Sequence, residues 1–368
     1  MILKRFWAED FRNIKECDVS FTPGVNLLFG KNAEGKTNAV EGIYIFSRGK
    51  SFRASEEREL ALVGCEGFRL GIEYEDKKGK NTLEYAAFGR EKRRIKNGYR
   101  LKSVAEMIGS FKSVLFFPDD LGLVKDGPEA RRGFLNVAIS QCDSTYISYY
   151  ADYKKAQENK NGILKAAAKG GYFDKEELVC WSQTMAEYAS YIYLKRKEYI
   201  EKLGPYVREI NSLLSGGKDI IEIGYKADIT VEKSEREAVK EAYIKRFTEN
   251  LDREIAAGTT LYGPMRDDIE ILISGMEARR FASQGQQRSI VLSMKLAEGE
   301  VIKEIFGEYP VFLFDDVLSE LDSDRRKYLT SRISDRQIII TSCTDEDVRD
   351  IAENVILVEG GKYVSSHR

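Results

Sequence analysis

Apolar residues alternate with polar ones in short runs over the first part of the chain, and this pattern predicts β-strands. Leu3 to Phe11 and Val25 to Phe29 are two such runs, and a helical pattern follows from Thr37 to about Ser47. The alternation continues from Phe68 to Leu101, where Asn97-Gly98 is a typical two-residue hairpin turn. The N-terminal part is therefore predicted to combine a β-sheet with at least one helix.

A helical period replaces this alternation between about Pro128 and Ala257, where Tyr, Lys, Glu and Ala are frequent. One predicted strand, Ile220 to Tyr225, interrupts it. Strand-like runs then return with a helix among them; the runs are Ile269 to Ile273, Val311 to Phe314, Ile338 to Thr341 and Val355 to Val358, and the helix is Gln284 to about Phe306. We predict an α/β fold in which a domain with a mixed sheet, residues 1–115 and 258–368, is split by an inserted, largely helical domain, residues 116–257.

The composition allows a large core and argues against a chain that is basic overall. The 368 residues are 42% hydrophobic and 32% charged, a mixture typical of globular proteins that need no disulfides. The 58 Lys and Arg residues oppose 60 Asp and Glu residues, so the formal net charge is -2. Any contact with nucleic acid must therefore use a local basic patch.

Cysteine and histidine are too sparse for a zinc site or for histidine catalysis. The five cysteines have no paired spacing, which favours reduced thiols in a cytosolic protein. The only histidine is His367, so histidine cannot serve as a general base or metal ligand in the body of the chain. Charged residues interrupt the apolar N-terminus, and no apolar run approaches the roughly 18 residues that a membrane span needs. We expect a cytoplasmic protein without a signal peptide or a membrane partner.

A phosphate-binding loop is predicted between the strand that ends at Phe29 and the helix that follows. The segment fits G-x-x-x-x-G-K-[ST] in full; its residues are Gly30, Lys31, Asn32, Ala33, Glu34, Gly35, Lys36 and Thr37. The glycines allow backbone N–H groups to curl around phosphate oxygens, and the helix directs its positive dipole end at the same anion. Lys36 can reach the β- and γ-phosphates and Thr37 can ligate Mg²⁺, so ATP and Mg²⁺ are the predicted ligands.

Two carboxylates end the predicted strand Val311 to Phe314. In an open α/β sheet, ligands bind at the carboxyl edge of the parallel strands, to which this strand would deliver Asp315 and Asp316. We predict that Asp315 holds Mg²⁺ and that Asp316 polarises the attacking water, since histidine is absent here. Lys36 and Asp316 are thus the predicted catalytic residues. Ser319 to Asp322 follows at once and resembles the D-loop of ABC-type ATPases.

The helix before that strand opens with Phe281 to Arg288, which resembles the ABC signature segment. Ser283, Gly285 and Gln286 are its predicted nucleotide-binding residues. A phosphate that is already held by Lys36 cannot also fill this site, so its ATP would come from a second copy of the chain. The alternative is that these residues only cap their own helix, because Ser283 and Gln286 also fit S-x-x-Q, an ordinary capping box.

The order of these motifs resembles the RecF family of bacterial recombination mediators, which are related to SMC-type ATPases. The segments G-K-N-A-E-G-K-T-N, K-S-F-R (Lys50 to Arg53), S-Q-G-Q-Q-R and F-D-D-V-L-S-E-L-D carry the resemblance, which runs from Met1 to about Val364. Leu261 to Asp268 resembles the family segment G-P-H-R-D-D, with Met265 in place of the usual histidine.

The resemblance implies an ABC-type P-loop ATPase domain and a second helical lobe in place of a coiled coil. It also implies a weak, regulatory ATPase that forms a dimer with ATP on duplex DNA or on a junction of single-strand and duplex DNA. RecF-like proteins act with RecO and RecR to load RecA onto gapped DNA. RecO and RecR, and indirectly RecA, are therefore the implied partners, at the nucleoid.

Four basic clusters are candidate DNA contacts, and the alternative for each is a solvated face; they are Lys92-Arg93-Arg94, Arg131-Arg132, Lys154-Lys155 and Lys195-Arg196-Lys197. Tyrosines near the third cluster, such as Tyr146 and Tyr153, have a helical spacing that favours packing over base stacking. A transporter ATPase subunit would have a conventional signature and a switch histidine, which this chain lacks. An SMC-type tether would need heptads over hundreds of residues, which the insert cannot supply.

Overall fold

The computed structural model describes residues 1–231, 235–317, 335–343 and 351–367. The strands and helices up to Ala168 are β1 (Ile2–Phe11), β2 (Ile14–Ser20), β3 (Val25–Phe29), α1 (Lys36–Arg48), β4 (Gly67–Asp76), β5 (Gly79–Phe88), β6 (Glu91–Lys96), β7 (Tyr99–Arg100), α2 (Val104–Met107), β8 (Ser113–Phe116), α3 (Gly122–Lys125), α4 (Pro128–Cys142) and α5 (Ser144–Ala168). Those that follow are α6 (Lys175–Ser215), β9 (Ile221–Lys226), α7 (Arg236–Glu249), α8 (Leu251–Ala257), β10 (Asp268–Ile273), β11 (Met276–Glu277), α9 (Ala278–Phe281), α10 (Gln284–Phe306), β12 (Val311–Asp315), β13 (Ile338–Ser342), β14 (Asn354–Glu359) and β15 (Lys362–His367).

The first of two compact units comprises Met1–Leu121, Tyr206–Ile220 and Ala282–Arg368. It contains an antiparallel sheet with the strand order β2-β1-β4-β5-β6-β7 and a second sheet with the order β15-β14-β3-β13-β12-β8. In the second sheet β14, β3, β13, β12 and β8 run parallel, and β15 pairs antiparallel with β14. The prediction of a mixed sheet with helices is confirmed.

The central strands of the parallel sheet are buried along their whole length. Every residue of β12 and of β13 is buried, as expected for strands that are covered on both faces and therefore read as continuous apolar runs. Because β3, β13 and β12 are parallel neighbours, their carboxyl ends meet at one edge of the sheet. The sheet thus places the segments after β3 and β12 on either side of the end of β13.

Helix α1 contacts both sheets of this unit and fills the space between them. Its approach to β1 needs a glycine, because a Cβ atom at Gly42 would lie 2.7 Å from the Phe6 ring. A buried amide also joins the sheets. Gln337, which precedes β13, accepts a hydrogen bond from the Leu3 N–H and donates one to the Leu3 carbonyl, each at 2.7 Å. These contacts fix β1 against the strand that ends at the predicted site.

The second unit comprises Gly122–Pro205 and Ile221–Phe281. It contains mostly helices, together with an antiparallel sheet in the order β11-β10-β9. These units divide the chain elsewhere than at the predicted bounds, 1–115 with 258–368 and 116–257. Residues 258–281 belong to the second unit because β10 pairs with β9 along its full length. No helix in the described part of the chain is long and apolar enough to cross a membrane.

A buried cation organises the second unit. The Arg196 guanidinium has no exposed surface, and it donates hydrogen bonds to the Tyr146 hydroxyl at 3.0 Å and to the Pro264 carbonyl at 2.5 Å. Asn136 accepts a third hydrogen bond, and Asp267 forms an ion pair with it at 3.8 Å. Tyr146 and Tyr153 are fully buried, so the prediction that they pack inside the lobe is confirmed.

A second buried ion pair closes the end of this unit. The Lys160 ammonium donates a hydrogen bond to a Glu254 carboxylate oxygen at 2.6 Å, and neither side chain is exposed. The other oxygen of Glu254 accepts the Leu261 N–H at 2.9 Å, so the pair also holds the chain after α8. Removing one partner of such a pair leaves an uncompensated buried charge.

We expect Lys160→Met to lower the free energy of unfolding by about 3–5 kcal/mol, because the Glu254 carboxylate would stay buried without its cation. Lys175→Met is the matched control, since Lys175 pairs with Asp252 at 3.0 Å on the surface. The control should remain close to the parent. Urea unfolding of the full-length chain measures both variants. Equal stabilities of the two variants would contradict this account of the pair.

Candidate functional site

The predicted phosphate loop connects β3 to α1, as the motif requires. Gly30 approaches the C-terminal hairpin so closely that a Cβ atom there would lie 2.1 Å from the Val358 carbonyl oxygen. Gly35 has φ +117°, a left-handed conformation that favours glycine, and it is the N-cap of α1 without a side chain to cap with. The first N–H groups of α1 therefore point toward an open position at the positive end of the helix dipole.

The side chain of the loop lysine, Lys36, folds back onto the loop. The Lys36 ammonium is buried and donates hydrogen bonds to the Gly30 carbonyl at 2.6 Å and to the Lys31 carbonyl at 2.7 Å. These two contacts wrap the loop around a positive charge. Such a curled backbone with a central cation is an arrangement that binds phosphate groups.

The loop and the acidic strand meet through a hydroxyl. The Thr37 hydroxyl donates to a carboxylate oxygen of Asp315 at 2.8 Å. Thr341, at the end of β13, donates to the same oxygen at 2.9 Å and accepts the Asp316 N–H at 2.9 Å. Asp316 has φ +54°, so the chain turns sharply after the strand. The sheet thus brings together Thr37, Asp315 and Asp316, as predicted.

The donor set at this edge fits a hard divalent cation. Burial raises the pKa of Asp315, and the hydrogen bonds from Thr37 and Thr341 oppose that rise. A buried carboxylate beside a hydroxyl supplies oxygen ligands only, which Mg²⁺ prefers in phosphate sites. No group of three or more His, Cys, Asp or Glu residues that could together hold a metal ion lies in the described ranges, so the protein could supply only part of a coordination shell here.

A cavity of about 190 Å³ lies over these groups; its walls are Asn32, Ala33, Gly35, Lys36, Thr37, Asn38, Arg53, Asp316 and Thr341. Five of the eight predicted loop residues are among them. Glu34 instead accepts a hydrogen bond from the Gly360 N–H through its side chain, so this loop carboxylate is engaged away from the cavity. The walls are mostly polar, as a site for a phosphate chain requires.

Arg53 enters the cavity from the K-S-F-R segment. Its guanidinium donates to the Asn38 amide oxygen at 2.5 Å and to Glu41 at 2.6 Å. Glu41 is fully buried, and Arg12 binds both of its oxygens, at 3.0 and 2.7 Å. Burial favours the neutral acid, but hydrogen bonds from Arg12, Ser51 and Arg53 outweigh it and lower the pKa of Glu41. A charged Glu41 therefore holds Arg53 at the mouth of the cavity.

The predicted signature residues form a capping box at the start of α10. The Ser283 hydroxyl accepts the Gln286 N–H at 3.3 Å, and the Gln286 side chain accepts the Ser283 N–H at 2.8 Å. Gln286 also donates to Asp219 at 2.9 Å. Neither residue nor Gly285 is among the walls of the cavity at the phosphate loop. The local alternative is thus present in the structure, and the role of this segment in a second subunit stays a prediction.

Two of the four basic clusters contain an arginine that the structure buries, which corrects these two residues as candidate DNA contacts. Arg131 is buried in an ion pair with Asp268 at 2.6 Å, and Arg132 donates to the Asp267 carbonyl at 2.9 Å. Arg196 is buried as described above. Asp268 pairs with Arg131 and Asp267 pairs with Arg196 inside the second unit, so these two buried arginines are not available to DNA phosphates. The exposed members of the other clusters are Lys92, Arg93, Lys154 and Lys155.

Sequence reasoning gave no role to several residues that build the site. In the sequence, Arg53 belongs only to the K-S-F-R resemblance, and Thr341 is only the last residue of a predicted strand. Arg12 and Glu41 belong to none of the motifs, and Asn38 is only the last residue of the G-K-N-A-E-G-K-T-N segment. The D-loop candidate, Ser319 to Asp322, lies outside the described residues.

Comparisons with known proteins agree with the motif order. The profile of the family described as "RecF/RecN/SMC N terminal domain" matches residues 2–365. A "DNA replication and repair protein RecF" from Clostridioides difficile (strain 630) is 37% identical over 99% of this chain and 98% of its own length. The RecF of Clostridium kluyveri is 37% identical over 97% of this chain and 96% of its own length.

Solved structures are similar as well. The "recombination mediator protein RecF-ATPrS in RecFOR pathway" superposes with a TM-score of 0.93 at 33% identity, covering 99% of this chain and 98% of that one. The Smc head domain from Pyrococcus furiosus has a TM-score of 0.57 at 17% identity and covers 99% of this chain and 96% of that one. The second likeness shows that the chain shares the fold of SMC heads.

We expect Thr341→Val to lower the free energy of unfolding by about 1–3 kcal/mol, because Asp315 and the Asp316 N–H both lose a buried partner. Valine keeps the β-branched shape that suits β13. Thr248→Val is the matched control, since Thr248 is exposed and its hydroxyl bonds only the carbonyl of Ile244 in its own helix. Denaturant unfolding compares the two. A loss no larger than that of the control would mean that Thr341 does not support the acidic turn.

Proposed function

Since the chain belongs to the RecF family of DNA replication and repair proteins, we propose that it is an ATP-dependent recombination mediator that binds DNA. ATP would bind at Gly30 to Thr37 and join two copies of the chain. The dimer would bind duplex or gapped DNA and help to load RecA together with RecO and RecR. Slow hydrolysis at the two-subunit site would release it.

The observation that carries this proposal is the hydrogen bond between Thr37 and Asp315. It joins a complete phosphate loop to an acidic strand at the edge where parallel sheets bind ligands. A glycine-rich turn with no function would have no reason to meet a buried carboxylate there. A solved structure of a 33% identical relative, described as RecF-ATP, supports the same assignment.

Each group at the edge has a distinct proposed task. Lys36 and the N–H groups of the loop would bind the phosphate chain, and Thr37 and Asp315 would hold Mg²⁺. That ion would neutralise phosphate charge when bound. Asp316 lines the cavity one residue further on and would accept a proton from the attacking water. Arg53 adds a second cation at the cavity mouth.

The position of Ser283 supports the two-subunit arrangement. Ser283 is exposed at the start of α10 and lies outside the cavity of its own chain. The N-terminus of a long helix attracts anions, and a cap serine can contact a phosphate while it keeps its backbone hydrogen bond. We propose that ATP held by Lys36 of one subunit meets Ser283 of the other.

The proposed DNA contact depends on local charge, since the net charge is -2. With Arg131 and Arg196 buried, the most exposed of the remaining candidates are Lys92 and Arg93 in the first unit and Lys154 and Lys155 in the second. The other members of the four clusters are half-buried; they are Arg94, Arg132, Lys195 and Lys197. We propose that dimerisation increases the number of phosphates contacted, which makes DNA binding depend on ATP and on salt.

Lys36→Met should abolish tight ATP binding while the fold is retained, because the ammonium that faces the phosphates is lost. Lys31→Met is the matched control, since it removes the same charge from an exposed position in the same loop. Fluorescent-nucleotide titration measures affinity, and sedimentation with ATP and duplex DNA measures assembly. The parent and Lys31→Met should form ATP-dependent dimers that bind duplex more tightly, whereas Lys36→Met stays monomeric.

Equal ATP affinity of Lys36→Met and the parent would refute the phosphate-loop assignment. If the parent binds ATP but its sedimentation and its affinity for duplex DNA do not change, the phosphate-loop assignment stands and the mediator model is wrong.

Ser283→Asp separates the two roles of the signature segment. Aspartate caps helices as well as serine does, so α10 should remain stable. Its carboxylate would repel a phosphate of the second subunit, so we expect normal ATP binding by the monomer and no ATP-dependent dimer. Sedimentation with ATP and circular dichroism measure the two effects. A Ser283→Asp variant that forms dimers like the parent would show that Ser283 is only a helix cap.

A further inference from the structure

We propose that Asn13, Gly361 and Tyr363 hold the phosphate loop in its binding conformation by anchoring three consecutive peptide carbonyls. The Asn13 amide donates to the Ala33 carbonyl at 3.0 Å. The Gly361 N–H donates to the Glu34 carbonyl at 3.0 Å, and the Tyr363 hydroxyl donates to the Gly35 carbonyl at 2.9 Å. The inference rests on the proposed binding of ATP by this loop and explains how the loop is kept ready for it.

The planarity of the peptide bond gives these anchors their consequence. In a trans peptide the carbonyl and the N–H of the next residue point in opposite directions, and the described chain has no cis peptide bond. Three carbonyls that are held outward therefore turn the N–H groups of Glu34, Gly35 and Lys36 toward the other side. Successive N–H groups that face one side form a concave site for anions.

The three N–H groups are left available for a ligand. Within the described ranges none of them donates a hydrogen bond to the protein, whereas the carbonyls of Ala33, Glu34 and Gly35 are all engaged. Buried backbone donors are nearly always paired in proteins. Three successive free N–H groups beside three bonded carbonyls are thus the pattern of an anion-binding site.

The anchors come from opposite ends of the chain. Asn13 lies in the turn between β1 and β2, while Gly361 and Tyr363 belong to the β14–β15 hairpin. The two turns touch, because a Cβ atom at Gly361 would lie 2.8 Å from the Asn13 carbonyl oxygen. A Cβ atom at Gly35 would lie 3.0 Å from the Asn13 side chain and 3.2 Å from the Tyr363 hydroxyl. The loop is therefore clamped from outside by tightly packed groups.

Tyr363 is suited to act as a permanent donor. A tyrosine hydroxyl is protonated at neutral pH, and burial raises the pKa of Tyr363 well above its ordinary value. Its ring stays on the hairpin and does not line the cavity. Tyr363 and Asn13 are thus positioning residues, which act on phosphate through the loop. A loop that is ordered before binding avoids the entropy cost of ordering it afterwards.

Tyr363→Phe tests the proposal, because it removes only the hydroxyl that anchors Gly35. We expect the Kd for ATP and for inorganic tripolyphosphate to rise roughly 3- to 10-fold, as loss of one hydrogen bond implies. Ser365→Ala is the matched control: it removes a hydroxyl from the same strand whose hydrogen bond goes to Asn354 at 3.1 Å and not to the loop. Isothermal titration at a temperature where all variants are folded gives the affinities. The control should bind like the parent.

Asn13→Ala provides a second, independent variant, and the double variant should bind tripolyphosphate more weakly than either single one. Because tripolyphosphate has no base or ribose, a loss of its affinity identifies the phosphate loop as the affected part. Unchanged affinities in both single variants, with a parent that binds ATP, would overturn the anchoring proposal and leave the proposed function standing. A parent that binds neither ligand would overturn both.

Discussion

Two oxygen atoms 2.8 Å apart, on Thr37 and Asp315, join positions that are 278 residues apart in the chain. Their contact depends on the pairing of the strands between them. Asp315 is the register partner of Thr341 in β13, and Thr341 is in turn the partner of Leu28 in β3. A slip of one residue would turn the Thr341 hydroxyl to the opposite face of the sheet. The site is therefore a consequence of register, which the buried apolar strands fix.

The same edge is supported from two further sides. Buried Glu41 holds Arg53 at the cavity through charge-assisted hydrogen bonds, which are among the stronger contacts available to side chains. On the outer side, the β1–β2 turn and the C-terminal hairpin engage the loop carbonyls. Gln337 bonds β1 to the strand that carries Thr341. A displacement of β1 would therefore move both the β1–β2 turn beside the loop and Thr341 beside Asp315. The cavity is thus assembled from segments spread over the whole length of the first unit.

The residues that the sequence could predict are those whose chemistry is local. The phosphate loop lies within eight consecutive residues, and Asp315 and Asp316 directly follow an apolar run, so short patterns are sufficient. Thr341 reaches Asp315, and Asn13 and Tyr363 reach the loop, only through strand pairing between distant segments, and no short pattern encodes that. The pairing of β9 with β10 was hidden for the same reason, although both strands were predicted. A domain boundary drawn between them could not account for their hydrogen bonds.

A charge cluster or a family motif can be interpreted only when it is known how deeply each of its residues is buried. Arg196 belongs to a run of three cations in the sequence, yet it is fully buried against Tyr146 and the Pro264 carbonyl. That carbonyl and Asp267 belong to the segment that resembles the family's G-P-H-R-D-D, so the resemblance there reflects the packing of the second unit. The polar contacts of this segment with Arg196 are made by Pro264 and Asp267, the neighbours of Met265. Motif similarity therefore identifies the family, while burial and hydrogen bonds decide which of its residues face a ligand.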